Sequence, residues 1–540
     1  MGDKTTFPQR LAELRLNPDA LEEIRVTHPV TEEVHTIPNA DGKRGSLQVY
    51  AAITSNDSRI TPEAARRGLA IFGEELRAEA RETRGFPDIA KTRHPSIDLL
   101  EEIASVGNTV PSYVIRRNPR SPSISRERLD ATIERFGTPF ILYDEVGIKQ
   151  TLRNINEAFS WNPGFKEFFA VKACPNPYIL EICKQEGAGA DCSSGPELTL
   201  SNAVGLKGKE VMFTSNNTPA SEFAHAMSQG AIINLDDITH IPFFMNKFGK
   251  SSLSDLEIGC VRYNPGAERV GNSIIGNPVD AKYGLTKKQV MEAFEMMKAR
   301  GIKRFGLHTM VASNELNPEY HIETARMLFN LVREVKEETG IDVEFVNTGG
   351  GWGVNYKPEQ KALNPQEVGG GVKDAYARMI TASGLKPLKI FMENGRFITG
   401  PHGWLVTKAV HEKHTYKEYV GVDATMADFM RPGVYGAYHH ISVFGKEHEP
   451  QDRVYDVVGS LCENSDKFAV NRALPKIEMG DIVLLHGAGA HGRAMGFNYN
   501  GKMRCGELLL RGTGKIEQIR RRETEKDYFA TLSFPGSRFG

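Results

Sequence analysis

The sequence has no long hydrophobic run, and its apolar stretches are only as long as a β-strand. A membrane-spanning helix needs about 20 consecutive apolar residues, so the chain is not expected to enter a membrane. The first residues, MGDKTTFPQRLAEL, include acidic side chains and no apolar segment, which argues against an export or import signal. We therefore expect a cytoplasmic protein.

No charge of one sign predominates, because the formal net charge of the 540 residues is −1. Without a basic stripe to contact phosphate backbones, nucleic acid is not expected as a partner. The six cysteines are scattered and form no CxxC pair, which predicts reduced thiols and argues against disulfides or a zinc site. HEKH (411–414) resembles a metal pair, but no third ligand lies nearby. We interpret it as a solvated loop or strand edge and expect no metal.

The first 120 residues form a separate block. TPEAARRGLAIFGEELRAEAR (61–81) has helical spacing, with Thr61 as a possible N-cap and Pro62 at the first helical position. HPSIDLLEEIASVG (94–107) predicts a second helix that ends at Gly107. The polar stretch RRNPRSPSISRERL (116–129) predicts a linker. We expect a mostly helical extension, and the sequence leaves its role open.

From about Thr138, short apolar runs alternate with helical patterns. About eight such strand–helix units predict an α/β fold of the (β/α)8 barrel type. A doubly wound open sheet is the alternative, but no GxGxxG motif opens the first helix. After about residue 400 the pattern becomes β-rich, which predicts an all-β barrel or sandwich. The predicted organisation is an extension (1–120), a linker with the first strand of the β domain (121–145), a barrel (146–400) and a β domain (401–540).

In such a barrel, the functional site lies at the C-terminal ends of the strands. The polar residues and glycines that fall there are Lys172, Asp191, Asn216, Arg262, His308, Gly349–Gly351 and Glu393. FFAVKACPNP (168–177) is expected to bring Lys172 into the core, where an ammonium needs either a partner or a chemical role. Taken alone, a lysine at a strand end is more often a surface residue.

The stretch NTGGGWG (347–353) follows a predicted strand. Its glycines let backbone N–H groups approach an anion closely, as a phosphate requires. A lysine beside a phosphate-binding turn points to pyridoxal phosphate held as a Schiff base. A carboxylate should then face the pyridine nitrogen, and Glu393 is the candidate.

The chain from about 135 to 530 resembles the alanine-racemase-like (fold type III) pyridoxal-phosphate decarboxylases, and most closely the diaminopimelate decarboxylases. Seven ordered motifs carry this resemblance: FFAVKACPN, GAGADCSSGPEL, NTGGGWG, ENGR (393–396), MADFMRPGVYGAYHHI (426–441), CENSD (462–466) and GAHGRAMGFNYNG (489–501). It implies decarboxylation of meso-2,6-diaminopimelate to L-lysine and CO2, a step of lysine biosynthesis. It also implies a homodimer with shared active sites.

The resemblance further implies roles for individual residues. The implied catalytic residues are Lys172, Glu393, His308 and Cys462, the last donating a proton from the partner subunit. The implied cofactor contacts are Lys172, Asp191, Met310, Ser313, Gly349, Gly350, Gly351, Glu393, Arg396 and His491. The implied substrate contacts are Arg396, Arg431 and Tyr435 for a distal carboxylate and Glu463 for a distal ammonium. Taken alone, Cys462 would more often be a small buried apolar residue.

Three positions depart from the family pattern. Met310, in MVAS (310–313), stands where the family has the histidine of HIGS, which stacks on the cofactor ring. His491 replaces a tyrosine, and Asn394 replaces a proline. These changes leave open a second function, the decarboxylation of another amino acid of the D-, ornithine, lysine or arginine type. A third possibility is an inactive regulatory homologue, although Lys172 and the other cofactor motifs persist.

Overall fold

The computed structural model describes residues 10–11, 21–27, 34–38, 46, 48–50, 59–60, 62–83, 95–105, 113–119, 122, 124–249, 255–269, 274, 276–447 and 449–533. The chain divides into two compact units. The first unit comprises residues 1–138, 443–450 and 510–516, and the second comprises residues 139–442, 451–509 and 517–540.

Two helices and an antiparallel sheet share one hydrophobic core in the first unit. The predicted helices are confirmed as Pro62–Thr83 and Pro95–Ser105, while Thr61 and Gly107 lie outside the described residues. The sequence did not predict the sheet, whose described strands follow the order Val34–Pro38, Leu21–Thr27, Tyr113–Pro119 and Arg59–Ile60.

The long helix of this unit is interrupted at Gly73, whose φ of 78° lies in the left-handed region. The guanidinium of Arg10 donates to the carbonyl oxygens of Ile71 and Phe72, at 2.8 and 3.1 Å. A side chain at position 73 would collide with that guanidinium. The glycine therefore allows both the kink and the contact with Arg10.

The predicted linker at 116–129 contains regular structure at both ends. Residues 116–119 complete the strand Tyr113–Pro119, and a helix spans Arg126–Phe136. Ser125 caps this helix by accepting a hydrogen bond from the Arg128 amide at 3.4 Å. Only Leu129 and Thr132 are buried on the helix, so its composition is almost as polar as that of a loop. This polarity explains why the sequence predicted a linker.

Eight parallel strands close into a barrel in the second unit, as predicted. These strands are Lys166–Ala170, Gly189–Cys192, Val211–Thr214, Ile232–Leu235, Gly259–Tyr263, Phe305–Thr309, Val343–Asn347 and Lys389–Met392. The longer helices of the barrel are Glu145–Ala158, Pro177–Gln185, Gly195–Ala203, Ala220–Ser228, His240–Phe248, Lys287–Lys298, Pro318–Thr339 and Pro365–Tyr376. Asn176, Asn317 and Asn364 cap three of these helices, each followed by proline at the first helical position.

Apolar side chains fill the barrel interior. The buried cluster consists of Phe168, Met212, Ile232, Ile258, Cys260, Phe345 and Phe391. The rings of Phe345 and Phe391 stack with their centroids 4.4 Å apart, and Phe168 meets Phe391 edge-on at 5.2 Å. Because the interior is packed, polar chemistry is confined to the strand ends.

A second sheet follows the barrel in sequence, and its nine described strands include one that precedes the barrel. These strands are Phe140–Asp144, Gly403–His414, Glu418–Val422, Ile441–Val443, Arg453–Val458, Lys467–Leu474, Ile482–His486, Gly506–Leu510 and Ile516–Arg520. Phe140–Asp144 pairs antiparallel with Gly403–His414. The HEKH segment forms the exposed end of that partner strand, which confirms its interpretation as a strand edge.

All six cysteines are free. Among the residues that the structure describes, every helix falls short of the length and apolar character that crossing a membrane requires.

Candidate active site

Lys172 lies in a 3-10 turn, Val171–Ala173, directly after the strand Lys166–Ala170, which we call the lysine strand. Its neighbours in the turn are buried, but its own side chain is 51% exposed. The Nζ atom is 4.0 Å from Oδ2 of Asp191 on the adjacent strand. The expectation that Lys172 points into the core was wrong, because the turn directs the ammonium toward solvent at the strand ends.

Glu393 follows the last barrel strand and is almost completely buried. Its Oε2 is 2.8 Å from Nε2 of His308, and its Oε1 accepts a hydrogen bond from the Asn347 side-chain amide at 2.7 Å. Burial opposes ionisation, but His308, Lys172 and Arg262 outweigh it and hold the pKa of Glu393 below its ordinary value. Glu393 is therefore a carboxylate at neutral pH.

Asp191 is a second buried acid beside Lys172. Burial and then the charge of Glu393 raise its pKa well above the ordinary value, while Lys172 and Arg262 oppose this shift. Two buried atoms, Oδ1 of Asp191 and Nδ1 of His308, have no hydrogen-bond partner among the described residues. Two acids, a lysine and a histidine thus meet at the barrel mouth, as the motif spacing predicted.

NTGGGWG (347–353) forms a turn with left-handed backbone at Gly349 (φ 69°) and Gly351 (φ 91°), which we call the glycine turn. A Cβ atom at Gly350 would lie 2.0 Å from the carbonyl oxygen of Glu393, so only glycine fits there. The Gly350 amide is 3.4 Å from Sδ of Met310, which places Met310 on the glycine turn. Ser313 is half-buried, in the segment that follows Met310.

Two arginines meet around Tyr356, a residue that the sequence did not single out. Arg396 donates to the Tyr356 hydroxyl at 3.2 Å, and the Arg431 guanidinium lies 5.4 Å from the Tyr356 ring centroid. Arg431 is buried and donates to Nε2 of His439 at 3.3 Å. Neither arginine takes part in any ion pair of the described residues, and burial lowers the pKa of Arg431.

His491 lies next to the 3-10 turn that contains Lys172, since its backbone amide donates to the Ala173 carbonyl at 2.9 Å. Its φ of 55° is unusual for a residue with a side chain. Burial, followed by the charges of Arg396, Arg431 and Lys172, lowers the pKa of His491 well below its ordinary value. The imidazole is therefore neutral and lies within electrostatic reach of three cations.

Three predicted residues are not brought into this cluster. Cys462 is exposed, and its amide donates to Oδ1 of Asn500 at 2.7 Å. The exposed Glu463 accepts a hydrogen bond from the Ser465 amide at 3.3 Å, and Tyr435 is 59% exposed. None of the contacts described for these side chains reaches Lys172. The interpretation of Cys462 as a buried apolar residue was wrong.

The comparisons with known proteins agree with this geometry. Residues 146–400 match the family described as pyridoxal-dependent decarboxylase, pyridoxal binding domain. The chain is 39% identical to Protein TabA of Pseudomonas amygdali pv. tabaci, over 77% of this chain and 97% of that protein. It is 31% identical to diaminopimelate decarboxylase of Methanothermobacter thermautotrophicus, over 74% of this chain and 93% of the relative.

This chain belongs to the pyridoxal-dependent decarboxylases. Among solved structures, diaminopimelate decarboxylase from M. jannaschii in co-complex with L-lysine matches with a TM-score of 0.70 and 28% identity, covering 77% of this chain and 96% of that chain. Residues 7–113 of the decarboxylase match a second family, described as uncharacterized proteins conserved in bacteria.

The residues at the barrel mouth fit the cofactor of this family, pyridoxal phosphate. Lys172 offers a half-exposed amine, and Glu393 offers a buried carboxylate nearby. The glycine turn has no room for side chains, so its backbone can approach a phosphate closely. The two buried polar atoms without partners, on Asp191 and His308, lie at the same strand ends.

Glu167 on the lysine strand is a functional candidate that the sequence motifs do not include, although it is an acidic residue within an apolar run. The residue is buried, and both oxygens of its carboxyl group accept hydrogen bonds from Asn394. Burial raises the pKa of Glu167 to about 8, against the opposing effect of the Asn394 bonds and with a further increase from Glu393. A single acid in the stretch FKEFFAV was the available signal.

We expect the stability of the decarboxylase to fall as pH rises. Glu167→Gln should make this pH dependence weaker. The ordinary pKa of the group is 4.5 and the folded value is about 8, so between these values the folded chain holds a proton that the unfolded chain has released. The unfolding free energy then decreases with pH by at most about 1.4 kcal/mol per unit. Urea unfolding midpoints at pH 5.5, 6.5 and 7.5 measure the effect.

Glu181→Gln, at an exposed helix position, serves as the control and should leave the pH dependence unchanged. Equal pH slopes for the parent protein and Glu167→Gln would contradict the prediction.

Proposed function

We propose that this decarboxylase converts meso-2,6-diaminopimelate to L-lysine and CO2, as a step of lysine biosynthesis. The observation that carries the proposal is the pair Arg396 and Arg431, which surrounds Tyr356 and has no acidic partner among the described ion pairs. A buried guanidinium without a carboxylate is a site for an anionic ligand. Diaminopimelate carries a second carboxylate at its far end, and ornithine does not.

Several of the chain's own groups have a defined part in this reaction. Lys172 would hold the cofactor aldehyde covalently, and Glu393 would face the pyridine nitrogen. The amides of the glycine turn would hold the phosphate. When bound, pyridoxal phosphate supplies an electron sink for the electron pair left as the bond between Cα and the carboxylate breaks. Arg396 and Arg431 would fix the distal carboxylate and thereby decide which carboxylate lies over the cofactor.

We infer that a second copy of the chain completes each site. Cys462 and Glu463 lie on an exposed segment with no described contact to the barrel mouth, so a partner subunit is needed to bring them to the substrate. Cys462 of the partner subunit would return a proton to the carbon that lost CO2. The partner's Glu463 would pair with the distal ammonium.

A second candidate is decarboxylation of a related amino acid. The identity to Protein TabA, 39%, exceeds the 31% identity to a diaminopimelate decarboxylase. Met310 and the neutral His491 both lie next to cofactor-binding segments, and both depart from the family pattern. A changed substrate would be accommodated at these two positions, with the chemistry at Lys172 unchanged.

A substrate panel distinguishes the two candidates. The cofactor-loaded protein is supplied with meso-diaminopimelate, its LL-isomer, ornithine, lysine or arginine, and both CO2 and the amine product are measured. Lysine formed from the meso-isomer supports the first candidate. No lysine and no CO2 from meso-diaminopimelate, despite bound cofactor, would refute it, and preferred turnover of another amino acid would support the second.

We expect Arg431→Met to raise KM for meso-diaminopimelate by about 10- to 100-fold, because the distal carboxylate loses a charge-assisted hydrogen-bond partner. Cofactor content should remain unchanged, since the arginine contacts Tyr356 and His439 rather than the glycine turn. Arg453→Met, at an exposed position of the β domain, is the matched control. An unchanged KM in the Arg431 variant would exclude this arginine from substrate binding.

A further inference from the structure

Asn394 is completely buried at the centre of the turn ENGR (393–396), which we call the ENGR turn. Its backbone amide donates to Oε1 of Glu167 at 2.5 Å, and its side-chain amide donates to Oε2 of the same residue at 3.1 Å. Its carbonyl accepts from the Ala170 amide at 3.1 Å, and its Oδ1 accepts from the Trp352 amide at 3.4 Å. Asn394 therefore joins the ENGR turn to both the lysine strand and the glycine turn.

Glu167 occupies a fixed position on the lysine strand, because it pairs in register with Met392 of the last barrel strand. Its carboxyl group thus lies beside the residues that follow Met392. Both hydrogen bonds described for this buried carboxyl come from Asn394. A buried carboxyl needs such partners to offset the cost of desolvation.

The ENGR turn has little room to move independently of its neighbours. A Cβ atom at Gly395 would lie 2.7 Å from Cβ of Ala173, next to Lys172. On the opposite side, a Cβ atom at Gly350 would lie 2.0 Å from the Glu393 carbonyl oxygen. A small displacement of the turn would therefore move Glu393 relative to both Lys172 and the glycine turn.

A proline at position 394 would have no backbone N–H and no side-chain amide. A proline stiffens a turn through its fixed φ angle. Asparagine lacks that restraint, but here hydrogen bonds with Glu167, Ala170 and Trp352 hold it in place. With proline at 394, Glu167 would lose both of its described donors.

We propose that Glu167 and Asn394 form a positioning pair that fixes the ENGR turn, and with it the orientation of Glu393 toward the cofactor and of Arg396 toward the distal carboxylate of the substrate. The pair supplies by hydrogen bonding the restraint that a proline at position 394 would supply through its fixed φ angle. The proposal rests on the role given to Glu393 under Proposed function.

The test compares Asn394→Pro and Asn394→Ala with the parent protein by titrating each apoprotein with pyridoxal phosphate. Asn394→Pro should weaken cofactor binding by about 10- to 100-fold, because two hydrogen bonds to a buried carboxyl are lost. Asn394→Ala keeps the backbone amide and should weaken binding by about three- to tenfold. The pH midpoint of the bound cofactor's absorbance band should shift by about half a unit or more, since Glu393 is displaced.

Asn162→Ala is the matched structural control. The Asn162 side chain is buried and donates to the Leu388 carbonyl at 3.0 Å, just before the strand Lys389–Met392 and at the end of it that lies away from Glu393. This variant should lower the melting temperature and leave the cofactor titration and the absorbance midpoint unchanged. If Asn162→Ala weakens cofactor binding as much as Asn394→Pro does, the effect is general destabilisation and the proposal is overturned.

The double variant Glu167→Leu with Asn394→Pro tests whether the two residues act together as a pair. Once the carboxyl is removed, proline leaves no buried acid without donors, so cofactor affinity should recover to within about fivefold of the parent protein. If the double variant loses as much binding free energy for the cofactor as the two single variants lose together, the proposal is overturned. Glu393→Gln distinguishes the two hypotheses: if it changes neither affinity nor the absorbance midpoint, the proposed role of Glu393 fails, whatever the Asn394 variants show.

Discussion

Replacing Lys172 by alanine is expected to lower decarboxylation by at least about 1,000-fold and to abolish covalent attachment of the cofactor. The half-exposed amine lies in the turn directly after the lysine strand, and Lys172 is the only described lysine paired with Asp191. A methyl group at this position has no nucleophile to offer the cofactor aldehyde. Borohydride reduction of the parent protein followed by peptide mass spectrometry should find the label on the peptide that contains Lys172.

The control for this experiment is Lys166→Ala, at the opposite end of the same strand, where the ammonium contacts the Gly187 carbonyl. It tests whether losing any lysine from the strand disturbs the barrel, and it should retain both label and activity. A Lys172→Ala protein that still carries the reduced cofactor on another lysine and remains active would remove the basis of the assignment.

Mixing two inactive variants, Lys172→Ala and Cys462→Ala, is expected to restore about a quarter of the parent activity. If each site takes its lysine from one subunit and its thiol from the other, half of the randomly formed dimers are mixed, and each mixed dimer has one intact site of two. The exposure of Cys462 and its lack of a described contact with its own barrel mouth are the basis of this expectation.

Subunit exchange must be shown independently, for example by isolating mixed dimers through two different affinity tags. Isolated mixed dimers without activity would show that each subunit uses its own Cys462. Activity already present in Cys462→Ala alone would show that the thiol has no part in the reaction.

The sequence predicted the main part of the candidate site because of a general property of parallel barrels. Lys172, Asp191, His308 and Glu393 each follow or end an apolar run, and the C-terminal ends of parallel strands meet at one rim. The same argument could not predict the exposure of Lys172. That exposure depends on the 3-10 turn that follows the strand, and a run of apolar letters does not distinguish this turn from a continued strand.

Partners distant in sequence were harder to find. Glu167 and Asn394 are 227 positions apart, and Arg396 and Tyr356 are 40 apart. Each looks unremarkable in its own segment, because what makes it significant is the group it meets after folding. The strand Arg59–Ile60 of the extension could not be predicted for a different reason, since two residues are too few to show alternation.

The strand Phe140–Asp144 has a consequence for biosynthesis. It is made before the barrel, yet it lies between Gly403–His414 and Gly506–Leu510, which are made after it. While the ribosome completes the intervening chain, both edges of this apolar strand lack their native partners, and exposed strand edges promote aggregation. The order of translation therefore differs from the order of assembly. The sheet reaches its native pairing only after the strand Gly506–Leu510 has been synthesised.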